Sequence, residues 1–236
     1  MNIAEDAIKS LADLGVEVEK AENRHRRAFT SNEGDDYNMA RILVDGLIAS
    51  IFLKTNKPIK GITPEGEYQI LIGASFIRTH ALLNDLILDG HVIDSHCLLR
   101  KQLEQLARLQ ELETKSVAQL CGKTPNIKNA IGGLCGAIYG AQSKIAHFAD
   151  PAVGYSLLET HHFDDHSRVS ALPSYSDNSV FCMNTRLFLA IQFAGWFIAK
   201  LTRWYPSESF EILSKQLYIA VESAENAGVI NKKQEG

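Results

Sequence analysis

Long apolar runs, one-signed charge, paired cysteines and strand-like alternation are all scarce in this chain, and each scarcity excludes a class of protein. The most membrane-like run, Leu187 to Ala199, is closed by Arg186 and Lys200 after 13 residues, short of the ~20 that cross a bilayer. It reads as a helix buried at the centre of a bundle, and no membrane partner is expected. The four cysteines, Cys97, Cys121, Cys135 and Cys182, are scattered with no C-x-x-C pair. Cys97 and Cys135 fall inside apolar helical runs, where buried free thiols are expected, and a reducing, cytoplasmic setting is expected rather than a disulfide-stapled secreted fold. A net charge of -4 argues against wholesale polyanion binding and leaves room for a local basic patch. The opening MNIAEDAIKSLADLG is acidic early and has no apolar core, so it is not expected to be a signal peptide.

What remains is helix. At 236 residues, 45% apolar and 22% charged, the chain has the composition of a soluble globular protein with a sizeable core. Helices are expected over about 3–29, 37–55, 68–89, 91–112, 126–148 and 178–205, with a seventh ending near 226. The expected inner faces are Ile8, Leu11, Leu14 or Gly15, and Val18 in the first, and Ile42, Leu43, Leu47, Ile51 and Phe52 in the second. Ile70, Gly73 or Ala74, Ile77, Ala81 and Leu88 follow in the third, then Leu99, Leu103, Leu106 and Leu109 or Gln110 in the fourth. Gly90 has the place of a helix-stopping glycine and Pro125 suits a helix start. Residues 150–176 read as an irregular insertion that could hold a hairpin, although no alternation is firm. The expected architecture is all-α, an up-and-down bundle of six to seven helices in a single domain over 1–236.

Two helices carry polar stripes at a spacing of four. Arg100 and Glu104 lie in LLRKQLEQLARL; Tyr139, Ser143 and His147 lie in AIYGAQSKIAHF. Successive members of the second stripe drift by only about 40° around the helix, so they share one face. Arg100–Glu104 has a structural reading as an ion pair worth a few tenths of a kcal/mol. His147, in a last turn, is favoured there by the helix dipole. The functional reading gives His147 an acid/base role near neutral pH, with Arg100 or Lys144 holding developing negative charge and Tyr139 orienting the substrate.

Gly132, Gly136 and Gly140 recur on the same helix as that stripe. Each costs about 1 kcal/mol relative to alanine, so close helix packing, including across a dimer, is expected, with a ligand against bare backbone as the lesser reading. No G-K-[ST] follows, so no phosphate loop is present. The run His161-His162-Phe163-Asp164-Asp165-His166 offers metal-ligand types without a recognised spacing, and a metal-dependent hydrolase using His161, His162 and His166 is a third possibility. Asp89, His91, Asp94 and His96 form a weaker group. Solvated or capping roles are favoured for both, and neither metal nor cofactor is expected. The basic cluster Arg24-His25-Arg26-Arg27 reads as charge complementing a helix end, or as a contact to RNA phosphates beside another basic element. Trp196, Trp204, Phe188, Phe193 and Phe197 read as core or dimer contacts.

An R-x-x-x-E helix after a Gly-broken hairpin, then a Y-x-x-x-S-x-x-x-H helix with a nearby proline, resembles the HEPN-like group of bacterial helical proteins. The positions are Arg100, Glu104, Tyr139, Ser143, His147 and Pro151, and the resemblance covers about residues 65–155. Many members of the HEPN superfamily are metal-independent RNases of toxin–antitoxin and phage-defence systems. The resemblance therefore implies a homodimeric protein acting on RNA or nucleotides. His147, Arg100 and Tyr139 would be catalytic, and Ser143, Lys144 and Glu104 substrate-binding. One departure is plain. The RNase motif is an arginine followed by a histidine with four to six residues between them, and the corresponding positions ahead of His147 are Gly140, Ala141 and Gln142. The alternative is a non-catalytic interaction or dimerisation module in which the same residues lock helix packing.

Overall fold

The computed structural model describes residues 3–55, 57–59, 61–147, 152, 157–158, 160–162 and 167–230. Among them are nine helices: α1 (Ile3–Asn32), α2 (Asp35–Thr55), α3 (Pro64–Leu88), α4 (Val92–Glu111), α5 (Val117–Leu120), α6 (Ile127–Ile131), α7 (Gly133–Ala146), α8 (Asp177–Trp204) and α9 (Glu211–Asn226). The all-α bundle expected from the sequence is what forms. Two three-residue strands, β1 (Thr160–His162) and β2 (Ser167–Val169), pair antiparallel with His161 opposite Arg168. They form a small hairpin within the stretch read as irregular.

Local chemistry sets the helix ends. Thr63 caps α3 by accepting from the Gly66 amide at 3.2 Å, with Pro64 pre-set for the first turn. Gly90, at φ +86°, turns the chain into α4. The helix expected over 126–148 is two helices, because Gly132 sits at φ +91°, a conformation no helix can continue through. Asn126 caps the first of them through the Asn129 amide.

The α8 helix is central, packing on α2, α3, α4 and α9. Leu187, Leu189, Ala190, Phe193 and Ala194 are fully buried, and Phe193 stacks on Phe76 of α3 at 4.2 Å. Each such large side chain contributes about 1.5–3 kcal/mol by leaving water. Both α3 and α8 are long and apolar enough to cross a membrane by length and composition. The 13-residue limit drawn between Arg186 and Lys200 fails, because Arg186 is 1% exposed and belongs to the interior.

Three expected faces need correction. On α1, Ile8, Leu11 and Leu14 are 68%, 71% and 55% exposed; only Ala21, His25 and Phe29, further along, are buried. The bundle reaches no further up α1 than that. On α2, Ile42 and Phe52 are exposed, while Val44 and Ile48 are buried instead. On α3 the buried line is Gln69, Ile72, Phe76, Leu83 and Ile87, and Ala74 and Ala81 face out. Gln69, Thr79 and His80 share that line, so counting apolar residues alone misplaces it. The α4 face of Leu99, Leu103, Leu106 and Leu109 is as expected.

The basic cluster also stands elsewhere than expected. The α1 helix continues to Asn32, and no basic residue lies in its last turn. His25 is buried between the Leu88 carbonyl and the Ser179 hydroxyl, both at 2.8 Å. Arg26 pairs with Asp89 at 2.5 Å, so these residues fasten α1 to the end of α3.

Candidate functional site

The polar stripes of α4 and α7 converge. These two helices pack side by side, which lets groups 35–47 residues apart in sequence meet. Arg100 donates Nε–H to Glu104 Oε1 at 3.2 Å and Nη2–H to the Tyr139 hydroxyl at 3.1 Å. The Tyr139 hydroxyl in turn donates to Glu104 Oε1 at 2.9 Å. Arg100 Nη1 lies 2.9 Å from His147 Nε2. A guanidinium only donates, so His147 accepts through a lone pair on Nε2 and carries its proton on Nδ1. The Arg100 guanidinium carbon also sits 5.0 Å from the centre of the Tyr139 ring, a cation–π distance.

Placement follows from the helices. Arg100 and Glu104 are one turn apart at the edge of the buried Leu99–Leu103 face, with their side chains 22% and 30% exposed. Tyr139 is half-buried in mid-α7, and His147 is the exposed C-cap residue of that helix. Burial works against the Arg100 charge, but Tyr139 and the Glu104 carboxylate outweigh it and raise the pKa above its ordinary value. Arg100 thus stays a fixed cation with two of its five N–H groups uncommitted to this cluster.

Beside the cluster, an open groove of about 640 Å³ runs between α6 and α7, walled by Pro125, Ile127, Lys128, Gly136, Ala137 and Tyr139. Among the described residues, nothing stands within 4 Å of where a Cβ on Gly140 would be, and at Gly136 only Lys128 comes near, at 3.9 Å. The reading of these glycines as close helix packing within the chain is therefore corrected: they leave bare backbone along one side of the site.

Other expected residues fall differently. Ser143 lies half-buried between Tyr139 and His147 on the same face, and Lys144 is exposed. Neither side chain hydrogen-bonds to the cluster. Pro151, Phe163, Asp164, Asp165 and His166 lie outside the described residues, as do the side chains of His161 and His162. The Asp89–His96 group does not converge. Asp89 holds Arg26, His91 contacts Glu22 at 3.0 Å and Asp94 is exposed. His96 is 1% exposed, without a hydrogen-bond partner on either ring nitrogen, and stacks on Phe181. Burial pushes its pKa down to about 4. Among the described residues, no three His, Cys, Asp or Glu side chains stand close enough to hold a metal ion.

The sequence reading missed an ionic group inside the bundle. Arg186 of α8 donates to Asp45 Oδ1 of α2 at 2.6 Å and to the His80 carbonyl of α3 at 3.1 Å. His80 Nε2 contacts the same Asp45 oxygen at 2.8 Å. Burial and the Arg186 charge push the His80 pKa down to about 4, so the neutral ring donates to Asp45. Burial pushes the Asp45 carboxyl up, but the His80 bond and the Arg186 charge outweigh it and hold it below the usual carboxylate range. Asp45 is a lone charge in the apolar run ILVDGLIA, and that was the available signal; His80 and Arg186 follow other polar residues, Arg78 and Thr79 in one case and Asn184 and Thr185 in the other. The group pins three helices together.

Comparison with protein-family models, with curated proteins and with solved structures finds no match to this chain.

Proposed function

We propose that the Arg100–Glu104–Tyr139–His147 cluster is an acid/base site acting on a phosphate ester of RNA or a nucleotide, in a cytoplasmic protein of the toxin or phage-defence kind. The observation that carries this reading is the 2.9 Å contact between Arg100 Nη1 and His147 Nε2. It puts a fixed cation and a lone pair capable of taking a proton on one exposed spot. Lys128 and the open groove next to Tyr139 suit an anionic ligand, and the resemblance to HEPN-like proteins points to the same substrate class.

The chemistry follows from that contact. A phosphate entering the site takes over the Arg100 Nη donors, a bidentate, charge-assisted exchange. His147 Nε2 is thereby released and can accept the proton of an attacking hydroxyl. For RNA, the 2′-hydroxyl oxygen bonds to phosphorus and its proton passes to His147. The bond from phosphorus to the 5′-oxygen breaks, that oxygen takes a proton from water, and the hydroxide left behind takes the proton from His147. Tyr139, tied to Glu104, holds the guanidinium in place.

One observation favours a second reading. Arg100 already spends three donors inside the protein, and Glu104 neutralises it. On that reading the cluster is a lock between α4 and α7 in a non-catalytic interaction module. Arg100→Ala and His147→Ala separate the two. The acid/base reading predicts loss of cleavage of a mixed-sequence oligoribonucleotide, with thermal stability changed by less than about 1 kcal/mol, as befits partly exposed pairs. Loss of about 1–3 kcal/mol from each substitution, as for buried groups losing partners, with no cleavage by wild type, would establish the lock.

A further inference from the structure

The first five turns of α1 stand away from the bundle. Their base is firmly set: His25 is held from both ring nitrogens, Arg26 is on Asp89 and His91 is on Glu22. Above that base, the buried residues Ala21 and His25 continue a 3–4 spacing through Val18, Leu14, Leu11 and Ala7. This is a heptad seam. Its lower end packs on the protein's own helices, and its upper end does not: Leu11 and Leu14 are 71% and 55% exposed, with Ile8 beside them at 68%. Gly15 lies in the middle of the arm, with nothing among the described residues within 4 Å of a Cβ built there. A projecting helix that carries a glycine is marginal in water unless something covers its apolar face.

We propose that the cover is a second copy of this chain, the two α1 arms lying antiparallel with Leu11 of one against Leu14 of the other. Charge selects the partner and the direction. Residues 3–19 hold five acidic groups (Glu5, Asp6, Asp13, Glu17, Glu19) against the single Lys9. Residues 20–27 hold four basic groups (Lys20, Arg24, Arg26, Arg27) against the single Glu22. The antiparallel arrangement carries the acidic tip of each arm toward the basic base of the other. A parallel pair would set acid beside acid and base beside base. It would also crowd both bundles at one end, whereas antiparallel arms put them at opposite ends.

The register is self-consistent. With Leu11 opposite Leu14, Ala7 falls opposite Val18, so each contact occurs twice, as two-fold symmetry requires. The flanking positions pair Ser10 with Glu17 and Ile8 with Gly15, which sets no like charges together beside the seam. Residues 3–20 span about 27 Å at 1.5 Å per residue.

Light scattering on the full chain tests this. At high micromolar concentration the expected mass is twice the 26.1 kDa of the chain, and Leu11→Asp with Leu14→Asp should return it to a monomer that still unfolds cooperatively, its melting temperature no longer dependent on concentration. Direction is read by crosslinking in a Cys97→Ser, Cys121→Ser background. Chains carrying Ala7→Cys should join to chains carrying Val18→Cys and not to one another. A monomeric wild type would overturn the proposal and assign the face to a different protein. A dimer that survives both aspartates, or Ala7→Cys chains that join to each other, would overturn it as well.

Discussion

The ionic group in the core makes an asymmetric prediction. Arg186 is 1% exposed and Asp45 is its nearest counter-charge, whereas the Asp45 side chain is 32% exposed and also accepts from His80. Asp45→Asn therefore strands a buried cation, and breaking such a pair costs about 3–5 kcal/mol. Arg186→Met removes the cation but keeps its volume. It leaves a carboxylate that retains its His80 bond and reaches water, a loss of about 1–3 kcal/mol. In a chain of this size, each kcal/mol moves the melting temperature by about 2–4 °C, so Asp45→Asn should melt roughly 10 °C below wild type. The double variant strands nothing and should lose less than the sum of the two. Urea unfolding followed by far-UV circular dichroism measures all three. The reasoning fails if Arg186→Met is the more damaging of the two, or if both fall within about 0.5 kcal/mol of wild type, the range of ordinary surface substitutions.

Three further outcomes follow from single groups. His80 and His96 are held down to about 4 in the folded chain, from 6.5. The unfolded chain therefore takes up protons first as pH falls. Stability present above about pH 6.5 should decline progressively toward pH 4, by up to about 3 kcal/mol for each histidine. Chemical unfolding at pH 7 and pH 4.5 should show the loss, and His96→Leu should reduce it; equal stabilities at the two values would contradict the assignment. Gly140→Ala meets open space on a helix and should stabilise by about 0.5–1 kcal/mol. No gain would mean that something packs on that backbone. Gly90→Ala should cost more than about 2 kcal/mol, because Gly90 lies at φ +86° and its Cβ would stand 2.7 Å from the His25 ring and 2.8 Å from Pro173. A melting curve like that of wild type would refute the tight fit described there.

Much of this molecule is legible in its sequence because helices are local. Spacing and end signals place the long helices other than α7 to within a few residues, and the repeat of four sets Arg100 with Glu104 on one stripe and Tyr139 with His147 on another; that the two stripes face each other is set by the packing of α4 on α7. Gly132 was visible, but its break was not, since a helical glycine and one at positive φ look alike in sequence. The outward turn of Leu11 and Leu14 was hidden for a different reason. An amphipathic pattern states that a face needs covering, not that this chain covers it. Arg186 reads as the end of an apolar run because charge ordinarily marks solvent. Its partners lie 106 and 141 residues away, a distance over which no local pattern carries information.

The central claim is that Arg100 and His147 exchange their mutual contact for a phosphate. Nitrogen-15 spectra of the His147 imidazole, recorded while a nucleoside monophosphate or short oligoribonucleotide is added, test it most directly. The account predicts a lone-pair Nε2 and a protonated Nδ1 in the free protein, with the Nε2 signal moving on saturation. It also predicts that Arg100→Ala abolishes the movement while the fold is retained. An Nε2 signal that stays fixed at millimolar ligand, with Arg100 still on His147, would contradict it and leave the cluster as a lock between two helices.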